Sequence, residues 1–116
     1  MKKFVVIYRV PVEVVKKWKE ETPEAERAAQ DAKLGADMNA WFEKNKAAIV
    51  DMGNPLGKNT RMTHAGAQPM TNDLNYYNVV QAENIEQVIE MHKDNPHVLM
   101  ADESYLDIME VPHVTM

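Results

Sequence analysis

Short apolar runs rich in β-branched and aromatic residues mark the strands of this chain. The first run is Phe4 to Val10, and Pro11 ends it because proline interrupts strand pairing. Tyr76 to Ala82 has the same character. Further strands are predicted at Ala48 to Met52, at Tyr105 to Val111 and, more weakly, at Arg61 to Ala65. The polar stretch Gln68 to Asn75 contains a proline and is predicted to be a loop.

Segments of helical periodicity separate these strands. Apolar residues at helical spacing predict a short helix from Pro11 to Lys19. The sequence Thr22-Pro23-Glu24 signals the start of a longer helix, whose apolar stripe is Leu34, Met38, Trp41 and Phe42. Asn84 caps a further helix, which ends at Asn95-Pro96. His92 lies near the end of that helix, where the helix dipole favours a cation.

The order of the elements is β-α-β-β-β-α-β, which contains the split βαβ pattern. We therefore predict an α+β fold, ferredoxin-like βαββαβ with an antiparallel sheet, in a single domain that spans residues 1-116. The helices can cover only one face of such a sheet. A second copy of the chain is the economical cover for the other face, so the sequence predicts a homodimer.

Composition narrows the classes of partner. The net charge of −5 repels phosphate backbones, so no nucleic acid is expected as a partner. No run approaches the roughly 20 apolar residues that a membrane span needs, and Arg9 and Glu13 interrupt the first run where a signal peptide would continue. The 116 residues include no cysteine, which excludes a thiolate metal site. Together these features favour a cytoplasmic protein with no membrane partner.

Four short motifs allow a comparison with known sequence patterns: Asp51 to Gly57, Tyr76 to Glu83, Asn95-Pro96-His97, and Glu110-Val111-Pro112. Together they resemble the YCII-related family of dimeric α/β barrel proteins, over a match from Lys2 to His113. The resemblance implies a ferredoxin-like monomer and a dimer packed sheet to sheet. Some members of that family have a proposed His–Asp pair, with the histidine near the start of the helix before the turn. Here Ala36 to Asn39 contain no histidine, so a histidine-dependent mechanism does not carry over.

Asp51 and His97 are the candidate catalytic residues. Asp51 lies at the end of a strand, and a carboxylate at the mouth of a pocket can serve as a general base. The alternative for Asp51 is a turn role, in which it accepts backbone N–H bonds around Gly53. His97 follows Pro96 and is the preferred imidazole, with a surface position as the alternative.

His64, Tyr76 and Asn78 are the candidate ligand-binding residues. Tyr76 and Asn78 alternate with Tyr77 on a strand, so they share one face of the sheet. His64 lies on the weak strand and is expected to face the open sheet surface. Trp41 belongs to the helix stripe and is predicted to lie in the core instead.

Two classes of function fit this pattern. The leading hypothesis is a homodimer that binds a small organic molecule in a cavity on the sheet face. Cofactor-free acid–base chemistry would use Asp51 as the base and a histidine or tyrosine as the donor. The alternative is a non-catalytic interaction or assembly protein whose sheet face is only a dimer interface. A metal site from His64, His97 and Asp51 is a third alternative, but no two histidines have the helical spacing of a zinc site, so neither a metal nor a cofactor is predicted.

Overall fold

The computed structural model describes residues 1–113, which form six strands and four helices. In chain order these elements are β1 (Lys2–Arg9), α1 (Val12–Glu21), α2 (Glu24–Lys44), β2 (Ile49–Pro55), β3 (Asn59–Thr63), β4 (Gly66–Met70), β5 (Leu74–Ala82), α3 (Ile85–His92), α4 (Pro96–Leu99) and β6 (Tyr105–Val111). No helix in this part of the chain is both long enough and apolar enough to cross a membrane.

Four of the strands form one antiparallel sheet in the order β2-β5-β1-β6. The helices α1 and α2 connect β1 to β2, and α3 and α4 connect β5 to β6. This is the ferredoxin-like βαββαβ arrangement with an antiparallel sheet, so the predicted fold class is confirmed. The short helix α4 was not predicted. It begins at Pro96, because Asn95 accepts the backbone N–H of His97 and caps it.

The core lies between the sheet and the helices. Alternate residues of the central strands point to this side and are buried, together with residues of α2 and α3: Phe4, Val6, Tyr8, Val80, Ala82, Val88, Trp41 and Phe42. Trp41 is 3% exposed, in agreement with its predicted core position. The buried positions therefore define which face of the sheet the helices cover.

The opposite face of the same strands is apolar at its centre but only partly buried. Val5, Ile7, Tyr77 and Val79 are half-buried on it, and Met109 and Val111 are exposed. The radius of gyration is 16.1 Å, whereas a compact domain of this length has about 13 Å. The chain is therefore more extended than a compact domain of this length.

The strands β3 and β4 form a separate two-stranded sheet outside the main one. The prediction of a loop from Gln68 to Asn75 is wrong, because β4 occupies Gly66–Met70 and β5 begins at Leu74. Pro69 is tolerated there because both strands of an isolated hairpin are edges. The weak strand predicted at Arg61 to Ala65 ends at Thr63, and His64 lies in the turn.

The strand β2 contains a bulge at Gly53. Its φ angle is +76°, and a Cβ atom at this position would lie 1.5 Å from the carbonyl oxygen of Tyr77. Only glycine fits so close to the neighbouring strand. The bulge shifts the register, and Asn54 and Pro55 then continue the strand beyond its predicted end at Met52.

Candidate functional site

Tyr8 lies at the centre of a group of polar and aromatic side chains, all buried except the half-buried Tyr76. The alternation of β1 points Tyr8 toward the helices, and the sheet register places it opposite Tyr76. The two rings pack edge to face with their centroids 5.4 Å apart, and the ring of His97 packs edge to face on Tyr8 at 5.2 Å. We call Tyr8, Tyr76, Asn78, Asn95 and His97 the Tyr8 cluster.

Asn95 connects the helix layer to Tyr8. Its Oδ1 accepts the backbone N–H of His97 over 2.9 Å, which settles the orientation of the amide. Its Nδ2 is therefore free to donate to the phenol oxygen of Tyr8, at 3.0 Å. One buried side chain thus caps α4 and positions the hydroxyl group of Tyr8.

The amide of Asn78 is fully buried and has an unpaired polar atom. Its Nδ2 lies 3.2 Å from the phenol oxygen of Tyr8, and its Oδ1 has no partner within residues 1–113. If the amide were turned over, Oδ1 would accept the phenol proton and the NH2 group would lose its partner. Either orientation leaves one buried polar atom unpaired, at a cost of about 1–3 kcal/mol. A polar group of a ligand would remove that cost.

The two tyrosines of the cluster are protonated at neutral pH. Burial raises the pKa of Tyr8 to about 12, and the hydrogen bonds with Asn95 and Asn78 oppose this shift in part. Burial also raises the pKa of Tyr76, and the negative charge of Asp51 adds to the effect. Tyr8 is therefore a hydrogen-bond donor and not a base.

His97 forms one wall of the cluster. The side chain is buried, so the alternative of a surface position is wrong. Its Nε2–H donates to the backbone carbonyl of Arg9 over 3.1 Å and so ties α4 to the end of β1. Burial lowers the pKa of His97, while the carbonyl groups of Arg9 and Tyr105 oppose that shift, and the ring is neutral at neutral pH.

A cleft of about 440 Å³ lies between the end of α2 and β2. Phe42, Ile49 and Met52 provide its apolar lining, and the ring of Phe42 lies 6.3 Å from that of Tyr76. The hydroxyl of Tyr76 donates to the carbonyl of Met52 over 2.6 Å. Tyr76 therefore lies between this cleft and Tyr8.

Asp51 lies outside the cluster, on the exposed side of β2. Its Oδ1 accepts the backbone N–H of Gly53 over 2.8 Å, which is the turn role considered as the alternative. Its negative charge nevertheless adds to the effect of burial, which raises the pKa of Tyr76. Asp51 is thus near the edge of the site and uses one of its two oxygens to hold the bulge.

His64 lies far from the main sheet, in the exposed turn of the β3–β4 hairpin. The expectation that it faces the open sheet surface is wrong, because the hairpin leaves that sheet. His64, His97 and Asp51 are not brought together. Among residues 1–113 no three histidine, aspartate or glutamate side chains lie close enough to hold a metal ion.

Three of the five predicted site residues therefore meet around Tyr8, a residue that the sequence reasoning did not select. The signal was present, because Tyr8 follows Phe4 and Val6 at strand spacing and carries the only polar group among these three buried residues of β1. Asn95 was also missed as a site residue. Its position just before Pro96, at the start of a helix, was the available signal.

His92 is a second buried histidine, and the helix-dipole explanation of it is wrong. Its Nδ1–H donates to the carbonyl of Val88 over 2.7 Å, and its ring packs on Trp41 at a centroid distance of 4.8 Å. Burial lowers the pKa of His92, so the ring is neutral and cannot act as the cation that a helix C-terminus favours.

Comparison with known proteins adds one relationship at the level of the fold. No family model and no curated protein matches the sequence. Among solved structures, the chain is similar to 5-chloro-2-hydroxyhydroquinone dehydrochlorinase from Burkholderia phenoliruptrix AC1100, in complex with 2,5-dihydroxybenzoquinone. The TM-score is 0.55 at 16% sequence identity, over 97% of this chain and 95% of that chain. The two chains share a fold. Membership of the YCII-related family stays a prediction.

Proposed function

We propose that this protein binds a small planar molecule with hydroxyl or carbonyl groups at the Tyr8 cluster. The observation that carries the proposal is the unpaired polar atom of Asn78, fully buried beside the phenol group of Tyr8. Buried polar groups are normally paired, so an unpaired one calls for an explanation, and a bound ligand group is one such explanation. A hydroxyl or carbonyl group of the ligand would pair with Asn78 and Tyr8 together.

The aromatic side chains of the site favour a flat ligand. Tyr8, Tyr76 and Phe42 follow one another from the core to the cleft, with ring centroids 5.4 and 6.3 Å apart. A planar ring can stack or pack edge to face on such side chains. In this proposal the ligand enters from the cleft beside β2 and displaces the ring of Tyr76, whose hydroxyl gives up its bond to Met52.

The dehydrochlorinase with the same fold supports the choice of a first probe. It was solved in complex with 2,5-dihydroxybenzoquinone, a planar ring that carries two hydroxyl and two carbonyl groups. Such a molecule presents both donors and acceptors, so it can satisfy Asn78 in either orientation of the amide. This protein is proposed to bind that chemical class. No reaction is carried over from the neighbour.

We further propose that any reaction at this site is cofactor-free acid–base chemistry, in which Tyr8 is the proton donor. Its phenol is protonated and lies beside the unpaired amide. Asp51 remains the candidate base, at the edge of the site. His97 has its Nε2–H committed to the carbonyl of Arg9, so it is better suited to position Tyr8 than to transfer a proton.

The open face of the sheet supports the homodimer in the same proposal. Val5, Ile7 and Val79 lie at its centre, and Met109 beside them is 49% exposed. A second copy packed sheet to sheet would bury this apolar surface. We also propose one YCII-like domain and a cytoplasmic location. The alternative hypothesis is a non-catalytic assembly protein without a ligand site. Such a protein would form a dimer through the same face, but it would have no use for an unpaired amide at Asn78.

Calorimetric titration of the protein with 2,5-dihydroxybenzoquinone tests the ligand site. Saturable binding is expected, and the Tyr8→Phe and Asn78→Leu variants should each bind about tenfold more weakly because each removes a hydrogen bond to the ligand. Tyr105→Phe is the matched control, because it removes a phenol hydroxyl on the other face of the sheet and should bind like the wild type. Equal affinity of all four proteins would remove the basis of the site.

A further inference from the structure

A second cleft, of about 500 Å³, lies between α1 and the segment that joins β4 to β5. Its floor consists of Val10, Val12 and Val15. The helix α1 has no buried residue, so its valines remain partly exposed here. The volume falls within the range of small-molecule sites, about 300–1,000 Å³. The cleft is separate from the Tyr8 cluster and from the cleft beside β2.

Two asparagines in the lining of this cleft are held with their amide donors free. The Oδ1 of Asn75 accepts the backbone N–H of Val10, and the Oδ1 of Asn72 accepts that of Leu74, each over 2.9 Å. Because both oxygens are bound to N–H groups, the orientation of each amide is settled. The two NH2 groups have no acceptor within the described part of the chain, so both are available to donate to a ligand.

Two lysines bring positive charge to the same cleft. Lys16 and Lys19 are three residues apart on α1 and therefore lie on one side of the helix. No ion pair within residues 1–113 involves either of them. Glu20 also lines the cleft, so the formal charge of the three side chains is +1. A single negative charge on a ligand is the complement.

We propose that this cleft binds the carboxylate of a small molecule with an apolar body, the chemistry of a medium-chain fatty acid. The carboxylate accepts hydrogen bonds from the NH2 group of Asn75 and from the ammonium groups of Lys16 and Lys19. The apolar body lies on the valine floor. An inorganic anion would leave that floor exposed, and a neutral alcohol would leave the charge of the lysines unpaired. The cleft therefore favours a ligand that has both a negative charge and an apolar body.

Octanoate is the probe for this site, with octan-1-ol and inorganic phosphate as the matched ligands. In amide-detected NMR titrations, octanoate should shift the backbone signal of Val10 and the side-chain NH2 signals of Asn72 and Asn75 in a saturable way. Octan-1-ol and phosphate should each bind at least about tenfold more weakly, since each lacks half of the recognised chemistry. If octan-1-ol bound as tightly as octanoate, the cleft would be only an apolar surface. If phosphate bound as tightly, the cleft would be only a basic surface. Either result would overturn the proposal.

Two variants locate the binding. Asn75→Asp keeps an oxygen for the N–H of Val10 but replaces the NH2 donor by a negative charge, so octanoate affinity should fall by about tenfold or more. The double variant Lys16→Gln, Lys19→Gln should show a comparable loss without touching any buried group. Lys58→Gln, on an exposed loop, is the control and should bind like the wild type. Unchanged affinity in the double lysine variant would sink the proposal. The outcome is independent of whether 2,5-dihydroxybenzoquinone binds at the Tyr8 cluster.

Discussion

The side-chain amide of Asn95 donates to the phenol oxygen of Tyr8 across 3.0 Å, although 87 residues separate the two in sequence. The bond joins the first strand to the turn between α3 and α4, and both side chains are buried. The same Asn95 caps α4 through its oxygen. Asn95 therefore both positions the hydroxyl group of Tyr8 and caps the start of α4.

Replacement of Asn95 should cost more stability than replacement of an ordinary helix cap. Asn95→Ala removes a cap and a buried hydrogen bond, so the free energy of unfolding should fall by about 2–3 kcal/mol. Asn84→Ala is the matched control, because Asn84 caps α3 at an exposed position and its loss should cost only about 1 kcal/mol. Urea unfolding of the two variants measures the difference. Equal losses would mean that the bond to Tyr8 contributes nothing.

The buried amide of Asn78 should be dispensable for stability. Asn78→Leu removes an unpaired polar atom from the core at similar volume, and it loses only the 3.2 Å bond to Tyr8. The free energy of unfolding should therefore stay within about 1 kcal/mol of the wild type. Thermal and urea unfolding test this directly. A loss of several kcal/mol would show that Asn78 serves the packing of the core and not a ligand.

Gly53 should be irreplaceable, unlike Gly57. In Gly53→Ala the new Cβ atom meets the carbonyl oxygen of Tyr77 at 1.5 Å and the φ angle is +76°, so β2 must move away from β5. We expect a loss of more than about 2 kcal/mol in the free energy of unfolding. In Gly57→Ala nothing lies within 4 Å of the new atom, and the stability should be unchanged or slightly higher. Comparable effects of the two variants in denaturant titrations would contradict the bulge geometry.

Acid should destabilise the protein through its two buried histidines. Burial lowers the pKa of His92 and His97 in the folded state, so the unfolded chain binds protons first. Their contribution to stability is complete above the unfolded value of about 6.5 and is lost as the pH falls toward the folded values. The lowered pKa of Asp73 and Asp94 acts at lower pH, below their ordinary value of 3.8.

The His92→Leu variant isolates one of these contributions. Urea unfolding at pH 7.5, 6.0 and 5.0 should show a smaller loss of stability in this variant than in the wild type. His64→Ala removes an exposed histidine and should follow the wild type at every pH. An identical pH dependence of all three proteins would mean that His92 carries no share of the effect.

The open face of the sheet should hold the proposed dimer together. Val79→Glu places a charge at its centre, opposite Val5, and should convert the dimer to a monomer of 13.3 kDa in light scattering. Ile89→Glu is the control, because Ile89 is an exposed residue of α3 on the helix side and its replacement should leave the mass unchanged. A wild-type protein that is monomeric at micromolar concentration would contradict the dimer itself.

Local sequence patterns determined the main elements of the fold. Proline at position 11 marked the end of the first strand. The ferredoxin-like arrangement was predicted from the strands of the sheet, the helix caps and the β-α-β-β-β-α-β order of the elements. The alternation of residues also showed that Tyr76 and Asn78 share a face, since side chains of a strand alternate regardless of what packs on them. These features depend on neighbours along the chain, which is why they were predictable.

Tertiary packing decided what the local pattern left open. Alternation does not say which face the helices cover, and the structure places Tyr76 and Asn78 beneath them rather than on the open side. The bulge at Gly53 exists because the carbonyl of Tyr77 approaches from another strand, and strands β3 and β4 pair with each other outside the main sheet. Tyr8 and Asn95 meet only because the chain folds back on itself, and contacts at that separation leave no trace in local periodicity.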